Sequence, residues 1–113
     1  MTTAAMSGVT VNLQTAATTG NGTVLAIPSS FRYHDFMITG AGVVSAGAVT
    51  LETSNDPADA GTWAALASAV TVQSGVDLLT QVVGLLNFVR ARVSTNITGG
   101  GNVTVTYLGA KNY

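Results

Sequence analysis

Between residues 9 and 13, Val9, Val11 and Leu13 alternate with Thr10 and Asn12, and this period of two returns along the chain. Successive strand residues point to opposite faces, so the pattern makes one face apolar and the other polar, which a helix of about 3.6 residues per turn cannot do. The residue types agree: 15 valines and 17 threonines carry β-branched side chains that lose freedom in a helix and pack well on a pleated surface. Such a chain reads as short strands joined by turns.

Turn residues place the strands. Gly20-Asn21-Gly22 tolerates positive φ and ends the first strand; residues 23–27 form the second, closed by Pro28, which cannot donate a ladder hydrogen bond. Residues 33–39 form the third, with His34, Phe36 and Ile38 on one face and Tyr33, Asp35 and Met37 on the other. In residues 47–54, Val49 and Leu51 face inward and Thr50 and Glu52 outward, ahead of a turn cluster from Asn55 to Gly61 and of Trp63, the expected seal of one end of the core. Ala64-Ala65-Leu66-Ala67-Ser68-Ala69 suits a helix as well as a strand, and residues 64–86 read as two or three short strands. Residues 88–95 and 102–109 read as an antiparallel hairpin about a glycine-rich loop, with Val89, Ala91 and Val93 facing the core. The expected fold is all-β, a single antiparallel β-sandwich of about seven or eight short strands, jelly-roll-like or immunoglobulin-like, with the strand order left open. A length of 113 residues suits one domain, 1–113, in which residues 1–8 hold small and polar residues and read as an N-terminal arm, while the C-terminus ends in Tyr113.

Charge narrows the function classes. Asp, Glu, Lys and Arg make up 8% of the chain, against about 25% in ordinary soluble domains, and the net charge is -1. A surface so poor in charge is expected to be neutral or covered by other protein. Apolar runs are broken by Thr, Ser, Gly and Asn before the length of about 20 residues that a membrane helix needs, so no membrane is expected as partner. The start Met1-Thr2-Thr3-Ala4-Ala5-Met6 lacks the basic and apolar regions of a secretory signal, and synthesis in the cytoplasm is expected. Zero cysteines exclude disulfides, thiolate metal sites and cysteine nucleophiles. Asn21, Asn96 and Asn102 fit the glycosylation pattern but read as turn asparagines followed by strand threonines. Nucleic acid is not an expected partner, because the four cations Arg32, Arg90, Arg92 and Lys111 are outnumbered by five acids.

No set of residues assembles a recognisable catalyst. His34 is the single histidine and adjoins Asp35, but neighbours on a strand point to opposite faces and no Gly-x-Ser-x-Gly elbow presents a serine. Asp56, Asp59 and Glu52 offer oxygens to calcium without the loop spacing or closing glutamate of a calcium loop. The Gly99-Gly100-Gly101 run lacks the lysine and helix of a phosphate loop. No enzyme activity, cofactor or metal is expected. Phe31, Tyr33, Trp63, Tyr107 and Tyr113 do not fall on one strand face, and core packing is the reading for most of them, Trp63 first. Arg90 and Arg92 do share a face and suit carboxylates of this chain or of a neighbouring subunit, with Glu52 a candidate partner.

Three stretches carry a resemblance: Leu51-Glu52-Thr53-Ser54-Asn55-Asp56 running into Thr62-Trp63; Phe88-Val89-Arg90-Ala91-Arg92-Val93; and Gly100-Gly101-Asn102-Val103-Thr104-Val105. From about Gly20 to Gly109 the layout resembles small β-sandwich virion structural proteins of tailed bacteriophages, which serve as capsid decoration or cement proteins and as fibre modules. The resemblance implies a structural protein of the virion that forms a homo-oligomer, commonly a trimer, and bridges subunits of a major capsid or other virion protein. Arg90, Arg92, Glu52 and Tyr113 are then the candidate subunit-contact residues. The runner-up is a receptor- or glycan-binding module of a tail or head fibre.

Overall fold

The computed structural model describes residues 9–56 and 62–111. The expected arm, Asp59 and Tyr113 lie outside the described residues. The rest is strand and turn: β1 (Val9–Ala17), β2 (Leu25–Ala26), β3 (Tyr33–Ala41), β4 (Ala46–Ser54), β5 (Ala64–Ala65), β6 (Val70–Thr71), β7 (Asp77–Val83), β8 (Phe88–Thr98) and β9 (Asn102–Ala110). One sheet has the order β1-β9-β3-β7 and the other β2-β8-β4-β5, with β6 also on β4; every pairing between these strands is antiparallel. Apart from the step through β5 and β6, which together make one interrupted edge, each connection crosses from one sheet to the other. An immunoglobulin-like sandwich keeps several consecutive pairs within a sheet, so this connectivity is that of a jelly roll.

Alternation does what the residue pattern demands. The inner face of the first sheet carries Leu13, His34, Phe36, Ile38, Val103, Val105 and Tyr107, and that of the second Val49, Leu51, Val89, Ala91 and Val93, all buried. Apart from His34, these side chains meet in a single hydrophobic core cluster between the sheets. β3 has the expected division, its inner residues fully buried and Tyr33, Asp35 and Met37 more exposed.

Residues 64–86 hold two two-residue strands and the seven-residue β7, as the reading of two or three short strands expects, and no helix. Two expectations are corrected. β8 and β9 are not a hairpin: β8 pairs with β2 and β4, β9 with β1 and β3, and the loop between them passes over the end of the sandwich. Alternation tells which side chains turn inward, and both strands turn theirs inward from opposite sheets. The loop is anchored where Gly101 donates to the carbonyl of Val43 at 2.7 Å and Ser45 to that of Thr98 at 2.8 Å. Trp63 is half-buried and lies outside the core, on the guanidinium of Arg90.

The first strand departs from simple alternation. Asn12 pairs with Thr106 and Gln14 with Val105, so one extra residue is inserted and Leu13 and Gln14 are both buried. The Gln14 amide donates to the carbonyls of Gly20 at 3.0 Å and Ala91 at 2.9 Å, tying the turn after β1 to the opposite sheet. Gly22, at φ +72°, closes against the same place: a Cβ there would stand 2.6 Å from the Leu13 carbonyl oxygen and 2.7 Å from that of Ala91. Gly75 has a similar φ of +67° with open space around it. Gly22→Ala is therefore expected to cost more stability than Gly75→Ala by at least about 1 kcal/mol in urea unfolding, since both carry the left-handed penalty and only the first adds a clash. Equal losses would show that the turn shifts to relieve the contact.

Candidate subunit-contact site

On the outer face of the second sheet the register sets Glu52 of β4 directly across from Arg90 of β8, with Arg92 one same-face position along. Glu52 Oε1 accepts from Arg90 Nε at 2.8 Å and Oε2 from Arg92 Nε at 3.0 Å. Both faces of β4 are thus buried: Val49 and Leu51 inside, Thr50 and Glu52 outside beneath their neighbours. Thr50 continues the polar stripe by donating to Ser94 Oγ at 2.9 Å. Trp63, held just before β5, covers Arg90, whose Cζ lies 4.3 Å from the ring centroid. The carboxylate side chain is 8% exposed and that of Arg92 39%. One carboxylate facing two guanidiniums leaves a net positive charge, and Arg92 is where it meets the surface. The sequence thus names three residues that the fold brings together; its fourth, Tyr113, is outside the described residues.

His34 is buried inside the sandwich. Its Nε2 donates to the carbonyl of Gly84 at 2.8 Å, which in the neutral ring makes Nδ1 the acceptor of the Tyr107 hydroxyl at 2.7 Å. The two rings stack with centroids 5.8 Å apart. Gly109, directly across from His34 on β9, makes the room: a Cβ there would collide with the Tyr107 hydroxyl and the Phe31 ring. Burial pushes the Tyr107 phenol up to about 12, and the negative charge of Asp35 adds to the shift. Asp35 itself points outward, so the two neighbours form no dyad. The signal for the His34–Tyr107 pair was an inward polar residue on each of β3 and β9, without anything to match them.

Among the described residues no group of three or more His, Cys, Asp or Glu could hold a metal ion; Glu52 is bound to arginine and Asp56 is exposed. Phe31, Phe36 and Tyr107 are buried together inside the sandwich, and Trp63 lies on Arg90 on the outer face. The outer face of the first sheet carries an open cleft of about 270 Å³ lined by Thr10, Asp35, Met37, Leu79, Thr106 and Leu108. Asp35 Oδ1 is buried on that face and has no hydrogen-bond partner among the described residues.

Two stability predictions follow from these contacts. Glu52→Gln leaves two guanidiniums facing a neutral amide and is expected to cost about 3 kcal/mol in urea unfolding, while Arg92→Ala, at the exposed end, costs less than about 1 kcal/mol. Because the folded protein holds the Tyr107 proton above the ordinary value of 10.0, this group's contribution is intact below pH 10 and is lost as pH rises toward about 12. Unfolding free energy should fall by up to about 1.4 kcal/mol per pH unit across that window, and Tyr107→Phe should abolish that part of the slope. An unchanged slope in the variant would assign the alkaline loss to other groups.

No family model matches the chain, and no curated protein matches it. Among solved structures, the fold is similar to the crystal structure of SPBc2 prophage-derived protein YomS, with 15% sequence identity, 89% of this chain and 90% of that chain covered, and a TM-score of 0.59. At that identity the likeness is one of fold: a two-sheet, all-β sandwich.

Proposed function

We propose that the protein is a non-enzymatic, phage-associated structural protein, and within that class a capsid decoration or cement protein that oligomerises and bridges neighbouring capsid subunits. The observation that carries this reading is the surface. Of nine charged residues, Glu52, Arg90 and Arg92 are spent on one another, while large hydrophobics such as Leu79, Val83 and Leu85 stand exposed at 54%, 70% and 59%. Exposed apolar area beyond isolated residues marks surfaces that other protein covers. Fold supports the setting, since jelly rolls recur in viral capsids and the similar solved structure is of a prophage-derived protein. In this reading the partners are further copies of the chain and a capsid protein, the location is the virion, and the outer end of Arg92 is offered to a neighbour's carboxylate. Many weak contacts of this sort, made together around a symmetric particle, resist rupture better than any one of them.

Jelly rolls also serve as lectins, and the second reading is receptor or glycan recognition on a fibre. Burial of Phe31, Phe36 and Tyr107 in the core and the engagement of Trp63 by Arg90 weaken it, since a sugar stacks on exposed rings. The test is to mix purified protein with phage particles that lack it. Stoichiometric sedimentation with the particles and a raised temperature of rupture are expected. Absence of binding, together with retention of the protein on a host polysaccharide, would replace the cement role with the recognition role.

A further inference from the structure

A sandwich of two open sheets has edges, and a chain that is to stay alone must blunt them. Short edge strands, bulges, prolines and charged side chains are the usual devices. In the second sheet both edges are blunted by length, since β2 lies on one side and β5 and β6 on the other, each two residues long. In the first sheet, β1 is interrupted by two register shifts, and Ala16 sits at φ +46°. The remaining edge is β7, which is neither short nor bulged. It runs seven residues in unbroken register with β3, from Asp77 opposite Thr39 to Val83 opposite Tyr33. Asp77 at its start is its single charge, and it has no proline. Of the eight large hydrophobics exposed among the described residues, Val76, Leu79, Val83 and Leu85 lie on or beside this one strand. Its inward residues Leu78 and Val82 pack against the core yet remain only partly buried, as an edge strand leaves them.

We infer that β7 is a dimerisation edge: a second copy of the chain adds its own β7 antiparallel to it across a two-fold axis at Thr80, joining two four-stranded sheets into one. The inference rests on the homo-oligomer reading above and gives it a surface and a symmetry, two-fold where the resemblance implies a trimer. An antiparallel ladder between identical strands is self-complementary under a two-fold axis, which is what an isologous contact requires. Centring on Thr80 pairs all seven residues. Thr80 meets Thr80 of the second copy, Leu78 meets Val82, Leu79 meets Gln81 and Asp77 meets Val83. The inward pairs are then Thr with Thr and Leu with Val, both favourable across strands. The two Asp77 carboxylates are held at opposite ends, so no like charges face each other. Leu78 and Val82 gain cover from the neighbouring strand.

Because the chain has no cysteine, single cysteines report this register. Thr80→Cys lies on the axis, where directly opposed Cα atoms come within the roughly 4.4–6.8 Å that a disulfide spans, whereas Val83→Cys would lie at far ends of the ladder. Under mild oxidation the first variant should give a covalent dimer at least about tenfold faster than the second. Sedimentation equilibrium should show the unmodified protein as a dimer and Leu79→Lys, at an exposed position that disturbs no core contact, shifted toward monomer. A monomer or trimer for the unmodified protein, or equal cross-linking at both positions, would overturn the inference. A monomer that still binds particles would overturn this edge and leave the structural role standing; a cross-linked dimer that binds none would uphold the edge and sink the cement role.

Discussion

Neither sheet of this protein can stand by itself, and the packing of Phe36, Ile38, Val105 and Tyr107 against Val49, Leu51, Val89 and Ala91 is what holds the two together. The chain has no disulfide or cluster of metal ligands among its described residues to share that task. Burial of these side chains therefore dictates how the polar groups inside must behave. Each buried polar side chain on the inner faces has a partner: His34 uses both ring nitrogens, Tyr107 its hydroxyl, and Gln14 both donors of its amide. An unpaired donor or acceptor there would cost about 1–3 kcal/mol, a large share of a small domain's stability.

The same constraint explains which parts of the fold were legible in the sequence. Alternation reports burial, and burial is what decides side-chain direction, so the inner residues of β3, β4, β8 and β9 could be read directly. Partner choice is another matter. Val103 and Val105 of β9 turn inward as they would in a hairpin with β8, yet they do so from the opposite sheet. No local signal separates a loop that turns back within a sheet from one that crosses between sheets. Trp63 was misplaced for a related reason: size and apolarity suggested the core, but the next residues form an edge strand on β4, which leaves the ring over Arg90 on the outer face.

The Glu52 cluster lies between these cases. Arg90 and Arg92 are two apart, so a shared face followed from strand geometry alone, and Glu52 belonged to the outward set of its own strand. That the two strands are neighbours, and in the register that sets Glu52 across from Arg90, came only with the fold. The cleft at Asp35 had no such signal, because it is made by four strands that the sequence does not order.

Charge distribution then links the interior to the surface. A chain with so few ionic groups that places three of them in one cluster leaves little to keep its outer faces wet, and the fold responds unevenly. Three of its four sheet edges are shortened or bulged, while β7 is long, regular and flanked by exposed leucine and valine. A sequence under pressure to remain monomeric would put a lysine or a proline on such a strand first, since either one blocks pairing at little cost to the strand itself. Asp77-Leu78-Leu79-Thr80-Gln81-Val82-Val83 has neither. Uneven protection of this kind is what distinguishes an edge kept open from a surface that is merely apolar.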